Sequence, residues 1–301
     1  MQYVSILSPA FSGSTLLSMI LCGQSRTIGF GDTYFGPGNN PKNICNCGVP
    51  FTECRPRKIV ESAVRAGGQS DFSWLNVRPV PMPALWPVEL QRYWPLWRAA
   101  SIPFLRVLTP KLRSSIFQKF YAQTNLMLEG LGATGDYDFY VDGSKFPARL
   151  ELLRTEIPNL KVIHMIRHPG AILYRYQKLG INQQKAGLAK WRRYHERAHQ
   201  FKSLVKADHY FVVSYESIVR NPGEFLKQVR HFIGMPAESD SDPRKLHRDQ
   251  VHIIGNRMRK NADQIMDMAD SWKQHLAAPA RVLAENAVLG VDWMADLIPD
   301  K

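Results

Sequence analysis

Residues 3–17, YVSILSPAFSGSTLL, decide the reading of this 301-residue chain. Tyr3 to Leu7 is a short apolar run, the pattern of a strand buried on both faces. The run stops at Ser8-Pro9, and Gly13 permits a tight turn. Ser12, Ser14 and Thr15 then lead into a helix over about Thr15–Cys22. The first N–H groups of a helix have no partner inside it, and its dipole is positive at that end. With the hydroxyls of Ser12, Ser14 and Thr15 as further donors, strand, turn and helix make a site for an anion, most simply a phosphate. The stretch is not a Walker A loop, because no Gly-Lys-Ser/Thr closes it, which argues against an ordinary nucleoside triphosphatase. Without a ligand the same residues would read as a Ser/Thr-rich helix cap.

Outward from this loop, a second short strand ends near Gly31, and a compact cysteine-bearing loop covers Gly36 to Pro56. From Trp74 to Tyr121 the composition shifts. Seven of the 20 prolines fall between Pro79 and Pro110 and four of the seven tryptophans between Trp74 and Trp97, which fits short, proline-broken helices better than strands. The α/β rhythm resumes at Asp138, with a strand in FYVDGSK, a helix from Pro147 to about Thr155 and a strand over Lys161–Ile166. A helix opens at HPG, 168–170, and a long basic helix covers about Lys185–Lys206. A strand over His209–Ser214, a helix over Pro222–Phe232 and a last helix over about Pro279–Ala287 complete the pattern. Alternating strands and helices specify an α/β fold, a P-loop-like parallel sheet flanked by helices on both faces. No repeat or linker interrupts it, so one domain over 1–301 is expected, with about 56–135 as a helical region that shapes a pocket or covers the sheet.

Composition narrows the partners. Apolar residues make up 45% and charged residues 22%, the mixture of a globular chain. The net charge of +13 is concentrated. Lys145 to Lys260 holds 23 basic against 10 acidic residues, and the rest of the chain is neutral. Such a stretch suits an anionic partner, or is simply a solvated basic face. No run reaches the roughly 18 apolar residues of a membrane span, and the N-terminus lacks the basic start of a secretory signal, so a cytoplasmic protein is expected.

Four further segments carry donors at element boundaries. VDGSK, 141–145, ends a strand on Lys145. IRHPGAILYRY, 166–176, places Arg167 at a strand end and Arg175 on the next helix, and a guanidinium grips phosphate bidentately. VSYESIVRNPGEFLKQVRHFIG, 213–234, follows a strand with Tyr215. HIIGNRMR, 252–259, offers Gly255, Asn256, Arg257 and Arg259, a glycine for close backbone approach and three donors. Taken in order with the loop at 8–17, these segments resemble the sulfotransferases that use 3′-phosphoadenosine 5′-phosphosulfate (PAPS), nearest to the bacterial, carbohydrate and tyrosylprotein branches. The resemblance spans most of the chain except about 56–135.

It implies that Phe11, Ser12, Gly13, Ser14 and Thr15 form the 5′-phosphosulfate loop, that Arg167, Arg175 and the 255–259 loop meet the 3′-phosphate, and that Tyr215 lies near the adenine. Phe11 departs from the family, which has Lys or Arg before Ser-Gly. Lys145, matching the family's lysine at the sulfonate, is the candidate to replace that cation. The family's Asp at 168 is His168, and its serine at 175 is Arg175. Asp32 in GFGDTY resembles the glutamate that serves related branches as general base, one methylene shorter; a helix cap is its structural alternative, and His164 and His168 are the other candidate bases.

Cys45, Cys47 and Cys54 form C-x-C-x₆-C. Free thiols are the leading reading, a disulfide next, and a metal site, which needs a fourth ligand, last. The expected function is sulfonyl transfer from PAPS to a hydroxyl or amine of a small-molecule or carbohydrate acceptor, with no metal in the reaction. A small-molecule kinase, a PAPS-binding relative weakened at Phe11 and a basic nucleic-acid binder are the alternatives. The last is disfavoured because the charge sits among phosphate-loop motifs rather than on an aromatic-interleaved surface.

Overall fold

In the parallel sheet the first strand is central, and later strands add on both sides of it. The computed structural model describes residues 1–31, 44–68, 72, 74, 122–145, 147, 150, 153–154, 157–237, 251–253 and 271–294. Within these, β1 (Gln2–Leu7), β2 (Thr27–Gly31), β3 (Phe139–Asp142), β4 (Lys161–Ile166) and β5 (Tyr210–Ser214) form one sheet in the order β2-β3-β1-β4-β5. Every pairing is parallel, with Ser5 opposite Asp142 on one side of β1 and Leu7 opposite His164 on the other. All five C-terminal strand ends therefore share one edge of the sheet, and the chain changes direction of travel across β1. That is where open parallel sheets bind ligands.

The described helices are α1 (Ser14–Cys22), α2 (Arg55–Ala66), α3 (residues 122–132), α4 (Pro169–Lys178), α5 (Gln184–Gln200), α6 (Tyr215–Arg220), α7 (Pro222–Ile233), α8 (Ser271–His275) and α9 (Ala278–Val288). Positions 147, 150 and 153 are helical as well. Strand alternation sends Val4 and Ile6 to one face, where they pack with Ile163, Met165, Val213, α1 and α7. Tyr3 and Leu7 face the other way, joining Phe30, Tyr140 and Val162 beneath α2, α3 and the end of α5. Both faces are covered, as a run of consecutive apolar residues in each strand requires.

Two expectations are corrected. The long basic helix ends at Gln200 rather than Lys206, because Phe201–Leu204 tightens into a 3₁₀ turn and Val205 is extended. Residues 215–220, read only as the segment after a strand, form a helix capped by Ser214, whose hydroxyl accepts from Ser217 N–H. The proline- and tryptophan-rich region lies outside the described residues apart from Trp74, which is buried edge-on to Phe30 and Phe51 and so covers the sheet. No helix among the described residues is long and apolar enough to cross a membrane.

Candidate active site

The loop between β1 and α1 has an unusual backbone. Phe11 has φ 68° and Gly13 φ 89°, both in the left-handed region. Glycine is required at 13 for a second reason: a Cβ there would lie 2.3 Å from the Tyr215 ring. Tyr215, fully buried at the start of α6, thus forms a wall of the loop, and burial raises its phenol pKa. Arg167, the residue after β4, lies between the two. Its guanidinium carbon is 4.0 Å from the centre of the Tyr215 ring, and its Nη1 donates to the Phe11 carbonyl at 3.0 Å. One arginine therefore ties the ends of β1, β4 and β5 together.

Several buried donors here have no partner among the described residues. They are the hydroxyls of Ser8, Ser12 and Ser144 and Nε of Arg167. A buried polar atom left unpaired costs roughly 1–3 kcal/mol, and these four near the ends of β1, β3 and β4 could hold an anion. The N-terminus of α1 adds to them: Gly13 caps the helix with no side-chain hydrogen bond, and its first turn carries no acidic residue.

Lys145 follows β3. Its φ is 69°, and its carbonyl accepts from the Tyr194 hydroxyl of α5 at 2.5 Å. Asp142 builds the turn that leads to it. The buried carboxylate accepts from Ser144 N–H at 2.9 Å and from the Tyr3 hydroxyl at 2.5 Å. Only three described non-glycine residues have positive φ, and two of them, Phe11 and Lys145, follow neighbouring strands at this edge of the sheet. Strained backbone of this kind persists where the surrounding structure over-determines it, and it clusters at active sites and ligand clamps.

The structure brings Phe11, Ser12, Gly13, Arg167 and Tyr215 into contact. Ser14 is buried and Thr15 half-buried in the first turn of α1, while Arg175 is exposed on the second turn of α4. Phe11 contributes backbone only. Its ring leaves the loop to meet Tyr176 edge-on, 5.7 Å between centroids, beside the Trp191 cluster. Asp32, Gly255, Asn256, Arg257 and Arg259 lie outside the described residues, although Gly31 ends β2 opposite Asp142 on the same sheet edge.

A family model for the sulfotransferase family matches residues 4–239. The chain belongs to the sulfotransferase family. Among solved structures it is similar to the sulfotransferase domain from the curacin biosynthetic pathway, at 18% identity over 96% of each chain with a TM-score of 0.51. It also matches the sulfotransferase domain of the Synechococcus PCC 7002 olefin synthase, at 20% identity over 95% of this chain and 93% of that one, with a TM-score of 0.48. No curated protein matches it.

The two histidines weighed as bases in this sulfotransferase both have structural partners. His168 Nδ1 accepts from Gly170 N–H at 3.0 Å as the cap of α4, and its ring stacks on Trp272. Its own N–H donates to Glu216 at 3.1 Å, a second tie between the ends of β4 and β5. His164 is fully buried between His195 and the Tyr210 hydroxyl, each at 2.8 Å, and burial holds its pKa down to about 3. Sequence reasoning missed Asp142, Tyr194 and Glu216 as positioning residues. Glu216 carried a signal in the Tyr-Glu pair after a strand; the partners of Asp142 and Tyr194 come from distant segments that no spacing reveals.

Proposed function

We propose that this chain transfers a sulfonyl group from PAPS to a hydroxyl or amine of a small-molecule or carbohydrate acceptor. The observation that carries this reading is the set of unpartnered buried donors around Gly13, with Ser12 Oγ and Arg167 Nε foremost, at an uncompensated helix N-terminus. These donors fit the phosphosulfate of the nucleotide. Bound PAPS supplies the activated sulfonyl group and leaves as adenosine 3′,5′-bisphosphate. The chain's own residues do the rest. Ser12, Ser14, Thr15 and the first N–H groups of α1 hold the 5′ end, while Arg167, Arg175 and the 255–259 loop hold the 3′-phosphate. Tyr215 keeps Arg167 and Gly13 in register and borders the base. Lys145 meets the charge that grows on the bridging oxygen, in place of a cation at Phe11. Asp32 takes the proton of the acceptor as it attacks.

Nucleotide selectivity tests the assignment. Adenosine 3′,5′-bisphosphate should bind at least about tenfold more tightly than 5′-AMP, since one charge-assisted hydrogen bond is worth roughly 1.5–3 kcal/mol; equal affinities by calorimetry would reject it. Labelled PAPS offered with a panel of hydroxyl and amine acceptors then reads turnover, and Asp32→Asn should keep bisphosphate binding while losing about 10²–10⁴ in rate. Near-normal rates in Asp32→Asn would remove Asp32 as base. A binding-only relative is the second reading, favoured by the Phe11 ring turned away from the loop. It predicts the same nucleotide selectivity with no turnover on any acceptor.

A further inference from the structure

The cysteine loop gains a fourth ligand in three dimensions. Sγ of Cys45, Cys47 and Cys54 and a ring nitrogen of His252 all lie within 4.8 Å of one another. We propose that these four residues bind one structural zinc ion, a site separate from the anion loop.

Four of the six ligand-to-ligand distances are close to those of a metal tetrahedron. Zinc–sulfur bonds of about 2.3 Å and zinc–nitrogen bonds of about 2.0–2.1 Å put sulfurs about 3.8 Å apart, and sulfur about 3.6 Å from nitrogen. Cys54 Sγ is 3.6 Å from Cys45 Sγ and 3.9 Å from Cys47 Sγ. His252 Nδ1 is 3.3 Å from Cys54 Sγ and 4.0 Å from Cys45 Sγ. A disulfide would need about 2.05 Å, and a disulfide between any two would leave the third thiol and the imidazole facing it. Three thiolates and one imidazole are soft and borderline donors, suited to zinc and unsuited to magnesium or calcium. All four positions are filled by protein, the closed arrangement of a structural rather than a catalytic ion.

The local fold is built to hold such a charge. Cys45 to Gly48 is a tight turn, with Gly48 N–H on the Cys45 carbonyl at 3.0 Å and Cys45 N–H on the Val49 carbonyl at 2.8 Å. Gly48 has φ 93° with open space where a Cβ would be, so the turn needs glycine for its backbone alone. The N–H groups of Cys47 and Val49 are directed at the sulfurs of Cys45 and Cys47. Cys54 is the N-cap residue of α2, whose first turn carries Arg55, Arg57 and Lys58 and no acidic residue. Three thiolates around a divalent ion leave one net negative charge, which a helix N-terminus free of acidic residues favours.

His252 is equally well fixed. It sits between the fully buried Val251 and Ile253, and the Ile253 carbonyl accepts from Asn46 N–H of the cysteine loop at 3.1 Å. The ion would thus join two segments 198 residues apart in sequence, the loop at 44–54 and the segment that leads into Gly255. No sequence spacing announces that partner.

Elemental analysis of the full chain tests the site. Protein produced with zinc in the medium and purified with reductant and no chelator should carry about one zinc per chain. Cys54→Ser and His252→Ala should lose it, Cys22→Ser should keep it, and His252→Cys, which restores four ligands, should regain it. Should the losing variants fail to fold, Co²⁺ substituted into the wild-type chain must show tetrahedral d–d bands with thiolate charge transfer. Zinc-free protein with three reactive thiols, a bound iron in its place, or a mass two hydrogens low from a disulfide would each overturn the proposal.

Discussion

Phe11 and Lys145 both hold left-handed backbone. Each such residue costs on the order of 1–3 kcal/mol, and each is held by one hydrogen bond to its carbonyl, from Arg167 and from Tyr194. At Phe11 the turn sends the ring into an apolar cluster and leaves the carbonyl for Arg167. At Lys145 it turns the chain just past β3 and leaves the carbonyl for Tyr194. If Lys145 meets charge that exists only during transfer, Lys145→Ala should lower kcat by about 10²–10³ and leave bisphosphate affinity within about twofold. Steady-state rates beside calorimetry check this, and an unchanged kcat would assign the work to another group. Of the residues forming the loop, Ser12, Gly13 and Ser14 were legible because strand, glycine and hydroxyls are consecutive in sequence. The strained backbone at 11 and 145 was not, since no residue type there advertises a positive φ.

At the scale of elements, the strands were readable nearly to the residue. Each is an apolar run closed by a polar tip, and β4 has the bounds its sequence implies. The helix end that failed, at Gln200, and the short helix that was missed, Tyr215–Arg220, depend on turns where local signals are weak. What sequence could not give is how helices hold the strand ends. Tyr194, well along α5, reaches the carbonyl that follows β3. Tyr194→Phe removes that donor and little volume, so stability should fall by about 1 kcal/mol. The positioning role predicts something more, a drop in kcat with KM for the acceptor nearly unchanged, because the hydroxyl orients Lys145 rather than binding substrate. A loss confined to thermal stability would make Tyr194 structural only.

Over the whole molecule, the buried pair His164 and His195 links stability to pH. Burial holds both neutral, His164 down to about pH 3 and His195 well below the ordinary histidine range. The unfolded chain takes up protons at these residues below about pH 6.5. Between those limits the unfolded state binds more protons, so stability is full above about pH 6.5 and declines as pH falls through the window. The slope approaches about 1.4 kcal/mol per pH unit for each histidine. Urea titrations at about pH 7 and about pH 5 should show this loss, and His164→Gln should flatten it; a pH-independent midpoint in wild type would refute the linkage.

The central position of β1 also governs how the chain comes off the ribosome. The first strand made has to wait for both its neighbours, β3 from Phe139 and β4 from Lys161. The Phe11 carbonyl meets its arginine only 156 residues later, and the Tyr215 ring arrives later still. A chain emerging no further than α1 therefore has the residues of the β1–α1 loop without the groups that shape them, and the loop is complete only once the fifth strand is out. Closing such long loops is slow. If the loop holds the donor proposed above, that donor rewards a finished fold and cannot template an early one.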